Sequence, residues 1–434
     1  MSYETIVALS SGSLPSGVAV VRISGPSCTE IANSMIGGLP EPRFVSLRAI
    51  KNLKNNEELD RGIVLWFPGP NSFTGEDCLE FQLHGGRAVV DAVIHALCQF
   101  SSVGLAEAGE FSRRAFENGK LDLTEIEGIA DLVASETEAQ RKQALSQSRG
   151  DSRETFEDWR KRLIHMRALI EAELDFSEEE DIPDEISKEG FAQVAALKDE
   201  IETHLADNRA GEIIRDGFKI ALMGKPNAGK SSLLNVLAKR DVAIVTHKAG
   251  TTRDVLDVHL DINGFAVIVS DTAGLRESDN IIEVEGIRRA ELRGSEADLV
   301  IWLSDINDKD NPPTLGFEDV LYITSKDDSG NSRDTNSISV KSGFGIDKLI
   351  KSIETRINSR VDRSENILIS RLRYREALVD CIEHLNFVLS NNVSDIDLNA
   401  ETLRHASDCI GRIMGKIDVE DLLDVIFSEF CVGK

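Results

Sequence analysis

The chain has 434 residues, of which 41% are hydrophobic and 29% are charged. This length exceeds what one ordinary hydrophobic core accommodates, so it predicts two to four domains. No stretch approaches the ~20 consecutive apolar residues that a membrane span requires. The first residues, MSYETIVALSSGS, lack the basic start and the apolar run of a signal peptide. We therefore expect a cytoplasmic protein with no membrane partner.

The charge and the cysteines argue against two further classes. The formal net charge is −26, whereas proteins that hold nucleic acid over a broad surface are usually basic. Any contact with nucleic acid must therefore be local or come from a partner. The six cysteines are scattered, with neither a Cys-x-x-Cys pair nor a Cys/His spacing suited to zinc, so we expect reduced thiols.

Residues 1–117 are predicted to form a mixed α+β domain. The runs GVAVVRIS (17–24) and GIVLWFP (62–68) are rich in β-branched residues and are bounded by Gly, Pro or Ser, which predicts two strands. PGPNSFTGED, between two apolar runs, has the composition of a turn. A helical pattern follows at 88–100.

The rest of the chain predicts a split helical domain with an insertion. At 118–211, Leu, Ile and Ala recur at helical spacing, and 141–174 are predicted to form one or two long helices. Residues 212–368 alternate strand and helix patterns, as in an α/β domain. Residues 369–434 are helical again. An α/β domain inserted into a helical domain accounts for this order.

The strongest motif is a phosphate-binding loop in the α/β segment. Gly224-x4-Gly229-Lys230-Ser231 follows an apolar strand pattern and precedes a helical run. Glycines let such a loop wrap the phosphates, backbone amides and the helix N-terminus face the anion, and the lysine adds positive charge. The Ser231 hydroxyl is predicted to ligate magnesium. The predicted nucleotide-binding residues here are Asn227, Ala228, Gly229, Lys230, Ser231 and Ser232.

Two further motifs follow in the order of a GTPase. DTAG, at 271–274, follows the strand pattern FAVIVS, where a carboxylate can support the magnesium shell and a glycine amide can meet the terminal phosphate. GTTRD lies between the two motifs, and its threonines can complete the metal shell from a switch loop. These motifs assign Gly250, Thr251, Thr252, Asp271, Thr272, Ala273 and Gly274 to the nucleotide.

The base-binding motif departs from the usual Asn-Lys-x-Asp. LYITSKDD offers Ser325, Lys326 and, two residues past the lysine, Asp328, whose carboxylate is predicted to pair with the guanine edge. A serine can form a hydrogen bond, but it cannot present both a donor and a carbonyl acceptor as an amide does. GTP and GDP are the predicted nucleotides. The tripeptide that stands where Ser-Ala-Lys usually backs the base is Ser339, Val340 and Lys341.

Together these motifs resemble one family. GKPNAGKSSLLN, AIVTHKAGTTRD, DTAGLRE, FPGPNSFTGED, NGKLDL and the terminal FCVGK are similar to motifs of the tRNA-modification GTPase MnmE family, also called TrmE. The resemblance covers essentially the whole chain. It implies an N-terminal α+β domain (1–117) that binds a tetrahydrofolate and dimerises. It further implies a helical domain made of 118–211 and 369–434, with an α/β P-loop GTPase domain (212–368) inserted.

The resemblance also implies a reaction and partners. The family hydrolyses GTP and works on tRNA as a homodimer together with the FAD-dependent protein MnmG. The two proteins attach an aminomethyl or carboxymethylaminomethyl group to carbon five of the wobble uridine. The implied one-carbon donor is formyl- or methylene-tetrahydrofolate.

The family's potassium site carries over residue by residue. Asn227 would coordinate potassium through its side-chain oxygen, with further ligands from the loop AIVTHKAGTTRD. The ion would place positive charge where other GTPases place an arginine finger. Thr252 would join Ser231 at the magnesium ion. The loop residues implied for potassium are Thr246, Lys248 and Thr251, and those implied for the nucleotide also include His247 and Ala249.

The water-orienting residue differs from that of Ras-like enzymes. Those enzymes carry a glutamine after DTAG, whereas Leu275 stands here. The resemblance assigns the role to Glu283 in DNIIEVEG, as the family's catalytic glutamate. Without the resemblance, Glu283 reads as a surface glutamate.

The resemblance places a folate site in the N-terminal domain. Arg22, Glu80 and Lys120 stand in the matching segments VVRISG, CLEFQ and NGKLDL, and Lys434 ends CVGK. Folate needs cations for its glutamate tail and a polar or acidic partner for its pterin edge, which these side chains could provide.

The last residues combine an amphipathic helix with a thiol and a glycine. The apolar stripe is expected to pack on the helical domain, and Gly433 would let the backbone turn at the helix end. Together with this positioned tail, the resemblance implies that Cys431 would be held towards the folate and the modified base, as a candidate catalytic residue. The alternative is an incidental reduced thiol. The stripe consists of Leu422, Leu423, Ile426, Phe427 and Phe430.

Two other functions fit parts of the sequence. A ribosome-assembly switch like Era or Der would share the phosphate loop. However, no RNA-binding unit with a GXXG loop follows Gly343, and there is one phosphate loop where Der-type chains have two. A folate-binding scaffold with a decayed GTPase would explain Ser325 and Val340, but the intact phosphate loop and DTAG argue against decay.

Overall fold

The structure is a computed structural model in which two compact units are distinguished, Met1–Ala130 with Gly411–Lys434, and Asp131–Ile410. At 172–175 and 186–188 only the backbone is described. Within the described ranges no helix is long and apolar enough to cross a membrane. These ranges are 4–175, 186–207, 209–240, 243–244, 257–271, 292–308, 313–330, 336–361, 367–391, 396–417, 423–424, 426–427, 430 and 432–433.

A six-stranded sheet organises the first unit, in the order β3-β4-β5-β2-β1-β6. Neighbouring strands are antiparallel except β1 and β6, which are parallel. The strands predicted at 17–24 and 62–68 are confirmed as β2 and β4. The strands are β1 (Thr5–Leu9), β2 (Ser16–Ser24), β3 (Ser46–Lys51), β4 (Glu58–Phe67), β5 (Cys78–Gly85) and β6 (Val103–Leu105).

One face of this sheet carries the apolar core of the unit. Alternate residues of β2 and β5, among them Val21 and Phe81, point to the same side and pack with Ile31 and Val93 of two helices. The residues between them, including Arg22, therefore point to the opposite face. The helices are α1 (Cys28–Met35), α2 (Arg87–Leu97), α3 (Glu110–Glu117) and α4 (Leu123–Ala134), which continues into the second unit.

Helices flank the α/β segment of the second unit on both sides in sequence. The long helical pattern at 141–174 forms two helices, because the chain turns at Gly150 with φ 92°. Phe156 packs edge to face on Trp159 and Tyr374, with ring centroids 5.8 Å apart in each pair. These helices are α5 (Glu138–Ser148), α6 (Asp151–Asp175), α7 (Ile186–Leu205) and α8 (Ala210–Asp216) before the segment.

The α/β segment has a five-stranded sheet in the order β11-β10-β7-β9-β8, with β8 antiparallel to β9 and the other neighbours parallel. Its parallel strands are apolar because helices cover both faces of such a sheet. The strands are β7 (Phe218–Gly224), β8 (Asp257–Ile262), β9 (Phe265–Asp271), β10 (Leu299–Asp305) and β11 (Val320–Ser325). The remaining helices are α9 (Lys230–Leu237), α10 (Ile346–Arg360), α11 (Leu372–Asn391) and α12 (Ile396–Ile413).

The predicted order of an α+β segment, helices, an α/β segment and helices again is confirmed in the described residues. The four boundaries, 1–117, 118–211, 212–368 and 369–434, stay a prediction. Parallel strands end at one edge of the second sheet, which brings Gly224, Asp271 and Ser325 to that edge.

The end of the chain packs on residues of the predicted N-terminal domain. Phe427 is buried and lies against Gly109, where a Cβ would stand 2.7 Å from the Phe427 carbonyl oxygen. The Arg113 guanidinium covers the Phe427 ring at 5.2 Å and pairs with Asp424. The expectation that the apolar stripe packs on the helical domain is therefore wrong for Phe427. Gly109 has no side chain, so the Phe427 backbone and ring can pack directly against it.

The segment beyond this ring is fixed by backbone contacts. Val432 forms an antiparallel bridge with Ala108, and the Ser10 hydroxyl donates to the Gly433 carbonyl. Gly433 has φ 100°, and a Cβ there would lie 2.2 Å from the Leu9 carbonyl oxygen. Only glycine can approach the first strand this closely.

Candidate functional site

The phosphate loop joins β7 to α9 and is shaped by residues with positive φ, Gly224 at 143°, Asn227 at 63° and Gly229 at 94°. A Cβ on Gly224 would lie 2.3 Å from the carbonyl oxygen of Leu303, so the loop can lie against β10 only with glycine there. Asparagine is among the few other residues that adopt this conformation readily. The first turn of α9 then faces the space enclosed by the loop.

Lys230 begins α9 and folds back across the loop. Its Nζ donates to the carbonyl oxygens of Gly224 at 2.8 Å and Lys225 at 3.1 Å. The residue is 8% exposed. Burial lowers the pKa of the ammonium group below its ordinary value, and the nearby Asp271 carboxylate opposes this shift. The loop thus holds a poorly solvated cation where phosphate oxygens would complete its coordination.

Two oxygen ligands meet beside this lysine. The Ser231 hydroxyl donates to Asp271 Oδ2 at 2.8 Å, which links the first turn of α9 to the end of β9. Asp271 is 2% exposed. A hydroxyl and a carboxylate are ligands that magnesium prefers, so this pair fits the predicted ion.

Ser325 connects the base-binding loop to the phosphate loop. Its side chain is buried, and its hydroxyl lies 2.7 Å from the Ala228 carbonyl and 3.1 Å from the Ser304 carbonyl. A hydroxyl has one proton to donate, and the shorter contact is to the phosphate loop. The serine therefore links the two loops by a hydrogen bond, and its hydroxyl proton is not available for a hydrogen bond to the base.

The two aspartates of SKDD have different surroundings. Asp327 is 1% exposed and accepts a hydrogen bond from the Ser337 hydroxyl at 2.9 Å. The Asp328 side chain is 53% exposed. It accepts a hydrogen bond from the Ser339 hydroxyl at 2.7 Å and forms an ion pair with Lys341, whose Nζ lies 3.9 Å away. Of the two, Asp328 is the carboxylate that a base can reach.

Two further residues of these loops, Lys326 and Val340, contact other parts of the α/β segment. Lys326 has φ 63°, and its Nζ donates to Asp305 Oδ2 at 2.6 Å. The Asn307 amide and Lys326 lower the pKa of Asp305. Val340 packs against the apolar core of the segment, which gives a reason for a residue larger than the usual alanine.

In the first unit, Arg22 and Glu80 are cross-strand partners on β2 and β5. Arg22 Nε donates to Glu80 Oε1 at 3.0 Å. The guanidinium also lies 5.3 Å from the Phe73 ring and 5.7 Å from the Phe111 ring. Phe73 belongs to FPGPNSFTGED, so this segment closes over the ion pair.

Lys120 contacts the same segment at Gly75. Its Cγ and Cδ lie 3.3 Å from the position that a Cβ on Gly75 would take. The segment is fixed by Glu76, which accepts hydrogen bonds from Ser24 at 2.7 Å and from Arg114 at 3.1 Å. Sequence reasoning missed Glu76 and Arg114, because nothing in a single sequence links residues so far apart.

Several predicted site residues lie outside the described residues, and their roles stay predictions. Within the described ranges, the phosphate-loop, magnesium and base residues meet at one sheet edge, and Arg22, Glu80 and Lys120 meet around one segment. The predicted residues outside the description are Thr246, His247, Lys248, Ala249, Gly250, Thr251, Thr252, Thr272, Ala273, Gly274, Glu283, Cys431 and Lys434.

Family models match both parts of the chain. The model of the GTP-binding protein TrmE N-terminus matches residues 5–120, and that of the MnmE helical domain matches residues 123–431. Among solved structures, the G domain of the T. maritima FeoB iron transporter is 23% identical, covers 33% of this chain and 98% of its own, and has a TM-score of 0.24.

Curated relatives match over the full length. A tRNA modification GTPase MnmE from Rhizobium johnstonii is 49% identical, with all of both chains covered. One from Brucella anthropi is 46% identical, with 99% of this chain and 98% of the relative covered. The predicted multidomain fold class and the resemblance are confirmed. The chain therefore belongs to the MnmE family of tRNA modification GTPases.

Proposed function

We propose that the chain is a potassium-activated GTPase that acts with an FAD-dependent partner of the MnmG type. Together they add an aminomethyl or carboxymethylaminomethyl group to carbon five of the wobble uridine of certain tRNAs. Family membership supports GTP hydrolysis in tRNA modification. The observation that carries the finer proposal is the phosphate loop, intact and with Asn227 at a position where the backbone has positive φ.

In the proposed GTP hydrolysis, residues of the α/β segment bind and orient the nucleotide. Lys230 and the amides at the start of α9 hold the phosphates, and Asp328 reads the guanine edge. Ser231 and Asp271, with Thr252, would hold magnesium, which would offset phosphate charge. Asn227, with Thr246, Lys248 and Thr251, would hold potassium, which would supply the positive charge that an arginine finger supplies in other GTPases.

The attacking water is oriented by Glu283 in this proposal. This assignment is supported by the residue after DTAG. Leu275 stands where Ras-like enzymes have a glutamine, and its side chain cannot form a hydrogen bond to water. A carboxylate can accept a proton from the water molecule and orient a lone pair of the water oxygen towards the terminal phosphate.

The first unit supplies the one-carbon donor in this proposal. Arg22, Lys120 and Lys434 provide cations for a formyl- or methylene-tetrahydrofolate, and Glu80 pairs with its pterin edge. Support comes from the contacts of Arg22 and Lys120 with one segment, FPGPNSFTGED. The docked tail, residues 432–433, contacts Ala108 and Ser10 of the same unit. These contacts support the proposal that Cys431, the preceding residue in the chain, acts near that site as a catalytic thiol.

We also propose that the chain forms a cytoplasmic homodimer. Edge strand β3 and the residues before it expose large apolar side chains, Phe44 at 61%, Val45 at 69% and Leu47 at 68%. Proteins usually cover or charge such an edge. A second copy of this chain would cover it.

Potassium dependence tests the proposal. At matched ionic strength, we expect GTP turnover in potassium chloride to exceed that in sodium chloride by about a hundredfold, the effect of one transition-state stabilising group. Asn227→Ala should remove this difference and leave magnesium–GDP binding intact, because GDP is held by the loop amides and Lys230.

Equal turnover in the two salts would refute the role of the ion. Glu283→Ala provides the comparison variant, since it should slow single-turnover hydrolysis while the response to potassium is kept. Mass spectrometry of wobble nucleosides from cells lacking the gene tests the tRNA reaction separately.

A further inference from the structure

Helix α5 is held by polar contacts and has almost no apolar face. Of its residues, only Ala144 and Gln147 are buried. Glutamines recur at 140, 143 and 147, a spacing that places their side chains on one side of a helix. A helix without an apolar stripe gains little from burial, so these amides decide where it lies.

The first half of α5 is bonded to the segment that enters the α/β fold. Gln140 Nε2 donates to the Arg215 carbonyl at 3.0 Å, at the end of α8. Gln143 Nε2 donates to the Gly211 carbonyl at 3.2 Å, at the start of α8. Because α8 leads directly into β7 and the phosphate loop, α5 is fixed to the entrance of the GTPase fold.

The last turn of α5 is bonded to the segment that leaves the α/β fold. Gln147 is 4% exposed, its Nε2 lies 2.9 Å from the Tyr374 hydroxyl, and its Oε1 accepts from the Ser370 hydroxyl at 3.1 Å. Tyr374 stands at the start of α11 and packs on Phe156 of α6. This half of α5 is therefore fixed to the helices.

The entering and leaving segments touch each other beside α5. A Cβ on Gly211 would lie 2.0 Å from the Ile369 carbonyl oxygen. Asp131 of α4 accepts two hydrogen bonds from Arg371, at 2.8 and 2.9 Å, and one from Arg215 at 3.2 Å. The segment that enters the α/β fold and the segment that leaves it are thus both bound to the same two helices, α4 and α5.

Strands β8 and β9 connect this point to the nucleotide site. The Ala139 amide of α5 donates to the Gly264 carbonyl at 3.0 Å, at the turn between the two strands. The other end of β9 is Asp271, which accepts the Ser231 hydrogen bond at the phosphate loop. Strand β9 is paired with β7 and β8 along its length, so a continuous hydrogen-bonded element connects Asp271 with the turn at Gly264.

The glutamine side chains of α5 border a small polar cavity. A cavity of about 40 Å³ lies beside the glutamines, lined by polar side chains and two alanines. Elements held by few apolar contacts are among those that proteins move most readily. The polar lining consists of Asp131, Ser135, Gln140, Gln143, Gln147 and Arg215.

We propose that α5 transmits the nucleotide state of the phosphate loop to the helices. Gln140 and Gln143 act as positioning residues on the GTPase side, and Gln147 acts on the helical side. The proposal rests on nucleotide binding at the phosphate loop, as in the proposed function, and is independent of the tRNA reaction.

Hydrogen exchange of the full chain, with GDP and with GDP–aluminium fluoride, tests this proposal. In the wild type, the exchange rates of 367–375 should differ between the two states. In Gln140→Leu/Gln143→Leu that difference should fall by at least about fivefold, the lower range of allosteric coupling. The response of β9 and the affinity for GDP should be unchanged, because neither glutamine contacts the loop.

Gln193→Leu on α7 is the matched control, since its amide bonds Glu189 of its own helix at 3.3 Å. Gln143→Leu alone serves if the double variant fails to fold, and it should lose part of the response. A variant that keeps the wild-type difference at 367–375 would overturn the proposal. So would a wild type in which β9 responds and 367–375 do not. A wild type with no response at β9 would overturn the proposed function as well.

Discussion

Ser325 performs one of the two tasks of the asparagine that it replaces. Its hydroxyl ties β11 to the Ala228 carbonyl of the phosphate loop, at 2.7 Å. That single proton is committed to the protein, so the proposed partner of the guanine edge is Asp328, which contacts Ser339 and Lys341. The residue thus supports phosphate binding more directly than base recognition.

Ser325→Ala should weaken GDP and GTP binding alike, by about fivefold to tenfold, the cost of one hydrogen bond of about 1 kcal/mol. The preference for GDP over inosine diphosphate should stay, because the proposal assigns recognition of the 2-amino group to Asp328. Titration calorimetry with both nucleotides measures this. In Asp328→Asn the preference should disappear while the phosphate contacts remain.

Ser325→Asn tests whether restoring the usual amide strengthens nucleotide binding. An amide can bond Ala228 and the base at once, so GDP binding should tighten. Equal or weaker binding would show that the buried position has no room for the amide.

Motif spacing was sufficient to single out residues such as Asp328 over Asp327. The count from Lys326 identified the exposed carboxylate, and the strand context identified Asp271 as a strand end. The folding of Lys230 onto the Gly224 carbonyl was not predictable, because it depends on how the loop closes. The contact of Glu76 with Arg114 depends on the packing of α3 and leaves no local pattern.

Among the elements, α11 is anchored to the entering segment by one arginine. Arg375 donates to Asp207 at 2.7 Å, Glu212 at 3.0 Å and the Leu205 carbonyl at 3.0 Å. These hydrogen bonds raise the pKa of Arg375 against the opposing effect of burial. The Glu212 side chain is 3% exposed, so it depends on its cationic partners.

Arg375→Ala should lower the free energy of unfolding by about 3 kcal/mol, because it leaves a buried carboxylate short of a partner. Urea denaturation followed by circular dichroism measures the change. Arg404→Ala is the control, since Arg404 pairs with Glu401 on the surface of α12 and its loss should not be detectable. Equal effects of the two changes would contradict the role given to Arg375.

Helices and strands with strong periodicity were predictable at this scale, and α5 was only partly so. Its pattern merged with that of α6 until the turn at Gly150 separated them. The partners of Gln140, Gln143 and Gln147 could not be inferred, because amide spacing shows a shared face and says nothing about what the face meets.

At the scale of the whole molecule, the docked tail joins distant parts of the sequence. An amphipathic stripe predicts which side of a helix is buried, and it cannot tell which domain buries it. For that reason the sequence suggested the helical domain for Phe427, whereas Gly109 and Arg113 receive it.

Gly433→Ala should release this tail. A Cβ would stand 2.2 Å from the Leu9 carbonyl oxygen, and overpacking of this kind costs about 1–3 kcal/mol. We expect wobble-uridine modification to fall while GTP hydrolysis is kept, as measured by nucleoside mass spectrometry and phosphate release. Gly37→Ala is the control, because Gly37 also has positive φ and no atom lies within 4 Å of its Cβ position. A normal level of wobble-uridine modification in Gly433→Ala would show that the tRNA reaction does not depend on docking of the tail.

The division of the first unit has a consequence for biosynthesis. Residues Met1–Ala130 leave the ribosome early, but the partners of Ser10, Ala108 and Gly109 lie in Gly411–Lys434. The sheet can form during translation, whereas the site of the tail stays open until the whole of Asp131–Ile410 has been made. Contacts between residues so far apart in the sequence form slowly. We therefore expect this unit to complete its fold only after the intervening segment has been synthesised.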